Sequence, residues 1–408
     1  MTKEENHLLT RVGPGTAGGD LLRRYWQPAA LSEELPEGGP PKPVRLLGED
    51  LVLFRDETGN PGLLEIYCSH RRADLSYGRI EGGGLRCLYH GWLYDIHGKC
   101  LDQPTEPEGG KARGSIQHTA YPCRELGGII FTYMGPGQPP ELPRYEALIA
   151  PKEHRFIKKY FVECNYVQGA EGDVDPAHPS LLHSRLETSK SGSQNILSLY
   201  TQDRAPKIEV ELAHFGMRIY TTRNISAEES YLRTSYYFLP SLFVFPEVTG
   251  LNGYTMNCQV PIDDTHHWKY QINFSRDKAL DLQKWRESFE ADITPDFHLL
   301  RNQRNRYLQN RDEMNTQTFT GMGTCFAVHD AFATETPGPL QDRTKEHLVS
   351  SDIAVIAFRK LLLKAIKDLQ EDHEPVRVPV ESESGHIPFL RVVSKIIPKT
   401  ANFKEYLD

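Results

Sequence analysis

The chain has 408 residues, 38% of them apolar and 10% aromatic, which is enough for two or more hydrophobic cores and too long for one typical domain. Its 47 basic against 55 acidic residues give a net charge of -8, which argues against a nucleic-acid surface built from phosphate contacts. Seven cysteines at scattered positions exclude a disulfide-stapled miniprotein and indicate reduced thiols, and no apolar run approaches the ~18 residues of a membrane helix, so a cytoplasmic enzyme is expected.

Residues 1–42 are read as an N-terminal segment that packs on the larger, C-terminal domain. Short strands punctuated by Gly and Pro follow at Val44–Leu47, Leu51–Phe54, Leu63–Tyr67, Leu85–Leu88 and Ile129–Tyr133, predicting a small all-β domain over 43–145 that closes at a Pro- and Gly-rich stretch, 135–140. A second domain over 146–408 opens with a strand near Phe156–Glu163 and a helical or irregular stretch from Asn165 to Arg185. Period-two segments then recur at 208–212, 217–222, 232–238, 242–245, 254–260 and 268–274, the pattern of an antiparallel sheet with one buried face. Helices are predicted over about 279–310 and over 351–370, the latter capped by Ser351. The fold class is therefore α+β: an all-β domain, then a curved antiparallel sheet packed by long helices.

Within the β domain, Cys68 and His70 form one loop pair, and Cys87 and His90 form a second after sixteen intervening residues. Each prong offers one thiolate and one imidazole. A common zinc finger separates its thiolates from its histidines, whereas a Rieske 2Fe-2S centre holds one iron by two thiolates and the other by two neutral imidazoles. The flanking Cys87-Leu88-Tyr89-His90-Gly91-Trp92 adds a glycine turn and an aromatic cover. The alternatives are a Cys2His2 zinc ribbon and four unrelated buried residues.

The segment from Glu171 to His183 carries two histidines, His178 and His183, five positions apart. In a regular helix they would point about 140° apart, since each residue turns about 100°. Pro176 and Pro179 break the ladder and let both imidazoles converge on one ion. Two imidazoles and one carboxylate make a facial triad for ferrous iron with open positions. The acid is to be sought among Asp330, Glu335 and Asp342, with Asp330 preferred because it follows a glycine-rich segment and precedes the last long helix. Asp175, three residues before His178, either orients that ring through its second nitrogen or caps the next turn.

With these motifs in hand, the chain resembles the catalytic α subunit of Rieske non-haem iron oxygenases, and most of all the phthalate 4,5-dioxygenase-like branch. The likeness runs from Gly13-Pro14-Gly15-Thr16 and Tyr25-Trp26 through both prongs and the histidine segment to the stretch Gly338–Leu348. It implies a Rieske domain on a helix-grip domain, with His178, His183 and Asp330 as ligands of a mononuclear non-haem Fe(II). It also implies ring-shaped trimers, alone or stacked, in which Asp175 bridges one subunit's iron to its neighbour's cluster. Electrons would come from a separate flavin-containing reductase using NAD(P)H, with or without a ferredoxin, and the substrates would be O2 and an aromatic acid. The branch's carboxylated substrates call for a cation, and of Arg218, Arg223 and Arg233 on predicted strands, Arg218 and Arg233 are preferred; the alternative for each is an exposed arginine paired with a surface acid. Two departures stand out: Arg72 where many relatives end the first prong in Gly, and Gly172 where relatives often carry Asn near the iron. The competing functions are a Rieske electron-transfer protein without substrate oxygenation and a zinc hydrolase with a structural ribbon.

Overall fold

The computed structural model describes residues 1–111, 113–186, 196–246, 251–377 and 390–407. The chain forms two compact units, one of Val12–Leu142 and one of Met1–Arg11 with Pro143–Asp408. This corrects the expected 1–42 segment, because only its first eleven residues join the larger unit. Residues 12–42 go with the β unit: the strand Trp26–Leu31 pairs with Ile129–Tyr133, and Arg23 donates to the Leu47 carbonyl and to Glu49. The β unit ends at Leu142, against an expected 145.

The strands of the β unit are β1 (Trp26–Leu31), β2 (Lys42–Leu46), β3 (Glu49–Arg55), β4 (Pro61–Glu65), β5 (Arg79–Glu81), β6 (Gly84–Arg86), β7 (Leu93–Tyr94), β8 (Cys100–Asp102), β9 (Ala120–Tyr121), β10 (Cys123–Leu126) and β11 (Ile129–Tyr133). They form antiparallel sheets in the orders β1-β11-β10, β2-β3-β4-β9 and β5-β6-β7-β8. Val52, Phe54, Leu64, Leu75 and Leu85 are wholly buried between them, each contributing about 1.5–3 kcal/mol of burial. Cys68 and Cys87 belong to the same apolar cluster, so both thiols are shielded from water before any cofactor is considered.

In the larger unit one antiparallel sheet runs in the order β12-β18-β17-β16-β15-β14-β13, with β19 added to β15. Its strands are β12 (Arg155–Val162), β13 (Lys207–Ala213), β14 (Gly216–Asn224), β15 (Glu229–Phe238), β16 (Leu242–Pro246), β17 (Gly253–Pro261), β18 (His267–Ser275) and β19 (Ser394–Pro398). The helix Ile353–Gln370 packs on β13 and β14, and Tyr166–Val174 packs against β15 to β18, a helix-grip arrangement. Among the described residues no helix is long and apolar enough to cross a membrane.

The predicted helix over 279–310 is only Leu282–Glu290, capped by Asp281. Pro295 interrupts the ladder, Phe297 has φ +66°, and Arg306, Tyr307 and Leu308 are all left-handed. The apolar positions that imitate a helical stripe, Ile293, Leu299 and Tyr307, fill a core with Tyr160 and Val328 instead. Ser351 does not cap the last long helix; Ser350–Asp352 form a short 3-10 turn before it, and Asp352 accepts from the Val349 N–H.

A buried ionic clamp locks the helix Tyr166–Val174. Arg343 binds both carboxylate oxygens of Glu171 at 2.8 and 2.9 Å, while Arg359 reaches Glu171 at 2.7 Å and Glu346 at 2.6 and 2.9 Å. Asn6 joins through Arg343 at 3.0 Å, tying the first helix, Lys3–Thr10, to the same point. Burial alone would raise the Glu171 carboxyl, but Arg343 and Arg359 outweigh it and hold the group below its ordinary range. Glu171→Gln leaves buried Arg343 without its acid and Arg359 with Glu346 alone, and should destabilise the fold by about 3–5 kcal/mol, read as a lower denaturant midpoint. Because the folded carboxyl is depressed, its contribution is complete above the unfolded value of about 4.3 and fades as pH falls towards the folded one, so the gap between wild type and variant should narrow in acid.

Candidate functional site

The two prongs close as matching turns. Arg72 N–H donates to the Cys68 carbonyl at 2.9 Å and Gly91 N–H to the Cys87 carbonyl at 3.1 Å, with φ of +61° and +74° at the closing residues. Gly91 is required twice over, since a Cβ there would also lie 2.6 Å from Pro104 Cγ. Arg72 takes the same strained conformation with a side chain, which ion-pairs with Glu65 at 2.5 Å and lies over the Tyr67 ring. These turns bring His70 and His90 to a centroid separation of 4.4 Å, and Trp92 stacks on His70 at 4.6 Å and 1°. The thiols touch: a hydrogen bond from Cys87 lowers Cys68 to about 5, with burial opposing and Tyr94 assisting, while Cys87 is pushed up. Tyr94 hydroxyl is 3.2 Å from Cys68 Sγ. His70 Nδ1 is buried with no hydrogen-bond partner. Two buried sulfurs beside two imidazoles, one with an orphaned nitrogen, fit a Rieske cluster.

The second centre grows from the end of the helix Tyr166–Val174, whose first turn Asn165 caps. Pro176 and Pro179 turn the chain into a single 3-10 turn, His178–Ser180, and the two histidine rings meet edge-on at 5.2 Å. From the helix Phe326–Glu335, Asp330 presents Oδ1 at 3.1 Å from His183 Nε2 and 3.9 Å from His178 Nε2. All three candidate ligand atoms lie within 4.8 Å of one another. The rival acids are elsewhere: Glu335 binds Tyr307 hydroxyl and the Glu163 N–H, and Asp342 caps the turn at Thr344. Burial would raise Asp330, yet Lys269 and His183 hold it well below the carboxylate range. Two imidazole nitrogens and one carboxylate oxygen thus lie within reach of one point, the donor set that would suit ferrous iron.

Of the two descriptions given for Asp175 the turn cap is the one its hydrogen bonds match, its distance to the ring being longer than a hydrogen bond. Its carboxylate accepts the Ala177 and His178 N–H groups at 2.8 and 3.3 Å, a turn cap, and it also lies 3.6 Å from His178 Nδ1. Burial opposes charge on His178, but Asp175 and then Asp330 raise its imidazole above the ordinary value.

Two residues that the sequence reading passed over complete the centre. His329 Nε2 lies 3.0 Å from the Gly323 carbonyl and so carries the proton there; its bare Nδ1 then accepts from His183 Nδ1 at 3.2 Å, which leaves His183 Nε2 free to coordinate. Its position next to Asp330 is the one available sequence signal. Lys269, on β18, bridges Asp330 Oδ2 at 3.2 Å and Asp173 Oδ1 at 3.1 Å. Burial would neutralise it, but Asp173, Tyr160 and Asp330 keep it charged.

The two arginines preferred for a substrate carboxylate, Arg218 and Arg233, lie on opposite faces of the sheet. On the β14–β15 pair Thr221 faces Arg233 and Arg223 faces Tyr231, so Arg223 and Arg233 share one face and Arg218 lies on the other. Arg218 is partly exposed and pairs with Glu211, the ordinary strand arginine of the alternative reading. Arg223 is wholly buried and Arg233 is 8% exposed, and among the described residues neither has an ion-pair partner. Arg223 Nη2 donates to the Pro176 carbonyl at 2.5 Å and to Ser180 Oγ at 3.2 Å, gripping the turn that carries His178, while its Nε and Nη1 and the Nε of Arg233 have no partner. Burial and the neighbouring Arg233 push Arg223 down to about 10. Tyr200 lies under both guanidiniums and Phe245 under Arg233.

Comparison with known proteins matches each unit to a family: residues 25–122 to the Rieske [2Fe-2S] domain and residues 132–407 to a LigXa C-terminal domain like family. The chain belongs to the Rieske non-haem iron oxygenases, as an oxygenase α subunit of the phthalate 4,5-dioxygenase-like branch. It is 36% identical over 416 residues to the oxygenase subunit of phthalate 4,5-dioxygenase from Pseudomonas putida, covering 97% of this chain and 93% of that protein. It is 31% identical to the oxygenase subunit of 3-chlorobenzoate-3,4-dioxygenase from Comamonas testosteroni, covering 90% and 89%. Dicamba monooxygenase bound to dicamba shares the fold at a TM-score of 0.61 and 17% identity, over 86% of this chain and 99% of that one. The cofactors are a Rieske 2Fe-2S cluster and a mononuclear non-haem iron, and both donor sets described above suit them.

Proposed function

We propose that the protein is the terminal oxygenase of a multicomponent system that inserts one or both atoms of O2 into an aromatic acid, with Cys68, His70, Cys87 and His90 holding the cluster and His178, His183 and Asp330 holding the iron. A separate flavin-containing reductase spends NAD(P)H on its behalf, with or without a ferredoxin. The cluster relays electrons and the iron activates dioxygen once both are bound. The chain's own residues do the rest. His329 fixes the tautomer of His183, Arg223 grips the His178 turn, and Arg223 with Arg233 holds the substrate carboxylate. Assembly as a trimer, with Asp175 bridging one copy's iron to the next copy's cluster, accords with the contact of Asp175 with His178.

The observation that carries this reading is the pair of buried guanidiniums without an acid partner among the described residues, one of them bound to the iron-bearing turn. Burying a cation costs several kcal/mol unless an anion accompanies it, and a carboxylated substrate is the missing anion. Phthalate and 3-chlorobenzoate, named for the two relatives, are aromatic carboxylates. The test supplies a compatible reductase and ¹⁸O2 to a panel of benzoates, phthalates and methoxylated aromatic acids beside their uncharged analogues. Labelled product is expected from acids and little or none from the analogues; label in the uncharged compounds alone would refute the assignment.

A further inference from the structure

The geometry points to Lys269 as a positioning residue that occupies one oxygen of Asp330, so that this ligand binds the iron through a single atom. The inference rests on the triad proposed above. The two oxygens of Asp330 are already divided: Oδ1 faces both histidine Nε2 atoms at 3.1 and 3.9 Å, and Oδ2 is 3.2 Å from Lys269 Nζ. A charge-assisted hydrogen bond of this kind competes with a second metal contact at the same oxygen.

Lys269 is itself held in place. Its ammonium is 3.1 Å from Asp173 Oδ1, both side chains being at most 6% exposed. Asp173 in turn accepts from Asn257 at 2.7 Å and Gln259 at 2.5 Å, and Gln271 donates to Asn257 at 2.9 Å. Lys269 pairs across the strands with Gln259, and Asn257 with Gln271, so the four side chains share one face of β17 and β18, the face on which Asp173 of the helix Tyr166–Val174 is bound. A buried lysine braced in this way cannot swing aside without leaving Asp173 unpaired. Gly172 adds nothing that competes for the carboxylate; a Cβ there would meet only Thr334 Cγ2, at 3.7 Å.

Single-atom ligation has a functional consequence. A facial triad with one-atom ligands leaves three positions of an octahedral ion for O2 and substrate or water, whereas a chelating carboxylate leaves two. Lys269 thus preserves an open position without touching the metal.

A crystal structure of the iron-loaded full chain tests this directly. The expected result is one Asp330 oxygen on the metal and the other within hydrogen-bond distance of Lys269 Nζ; a chelating Asp330, or Lys269 turned away, overturns the inference. Absence of metal at the triad would refute the triad assignment itself. In solution, Lys269→Met should need about 10- to 100-fold more nitric oxide to develop the EPR signal of the ferrous nitrosyl site, with the Rieske spectrum unchanged, while Lys269→Arg stays near wild type. Lys269→Met with Asp173→Asn removes the stranded acid if the single variant does not fold. Wild-type nitric oxide binding in both lysine-to-methionine forms would overturn the proposal.

Discussion

His178→Ala should abolish turnover while leaving the visible spectrum of the Rieske cluster intact, and iron content should fall by one atom per chain. The cluster ligands lie in Val12–Leu142 and the histidine in the other unit, so losing this imidazole leaves the first set of donors untouched. Little packing depends on the ring: His178 Nδ1 has no hydrogen-bond partner, and its nearest aromatic contact is His183. The loss should exceed the roughly 10- to 100-fold typical of removing an outer-sphere partner, because a direct donor is gone. Steady-state oxygen consumption, iron analysis and the cluster spectrum measured on one preparation decide the matter. Normal turnover in this variant would mean that the iron lies elsewhere.

Arg233→Leu should weaken binding of a carboxylated substrate by about 2–5 kcal/mol, or roughly thirty- to several-thousand-fold in KM, with kcat less affected. The same variant should melt at a higher temperature than wild type when substrate is absent, because a buried cation with no ion-pair partner among the described residues has been replaced by an apolar side chain. Loss of affinity together with gain of stability distinguishes a binding residue from a structural one. Arg223→Leu is expected to lower kcat as well, since its Nη2 holds the Pro176 carbonyl and Ser180 beside His178. Arg218→Leu is the control: on the opposite face and paired with Glu211, it should leave KM unchanged. Unchanged KM for aromatic acids in both Arg223 and Arg233 variants would remove the arginines from the substrate site.

What could be read from the sequence tracks how local each signal is. The prong residues and the two histidines lie within short segments, and prolines at 176 and 179 announce that the second pair is not helical. The alternating segments of the large sheet are found as strands within one to three residues, because period-two burial is written along each strand. From the chemistry of its residues alone Asp330 could be preferred but not singled out from Glu335 and Asp342; the family resemblance implied it, and the fold brings that one of the three beside the histidines. The arginine pair was beyond reach for a different reason: which of Arg218, Arg223 and Arg233 share a face depends on the register that sets Thr221 opposite Arg233, and composition carries no trace of it. Lys269 and His329 are likewise products of long-range packing. The false helix over 279–310 arose because Ile293, Leu299 and Tyr307 have the spacing of a buried stripe while an irregular backbone places them in a core.

The split of the larger unit has a consequence for how this protein is made and how it comes apart. Residues 1–11 are synthesised before the rest of their unit, yet Asn6 bonds to Gln341 and Arg343, and Asn165 and Tyr166 bond to Thr10 and Leu9, so the docking of that helix is complete only after more than three hundred further residues. The β unit is meanwhile complete once Leu142 has been synthesised and is spliced into the other by a thread at each end. A protease that nicks one junction therefore leaves the other covalent link in place, and parting the two backbones takes two cuts.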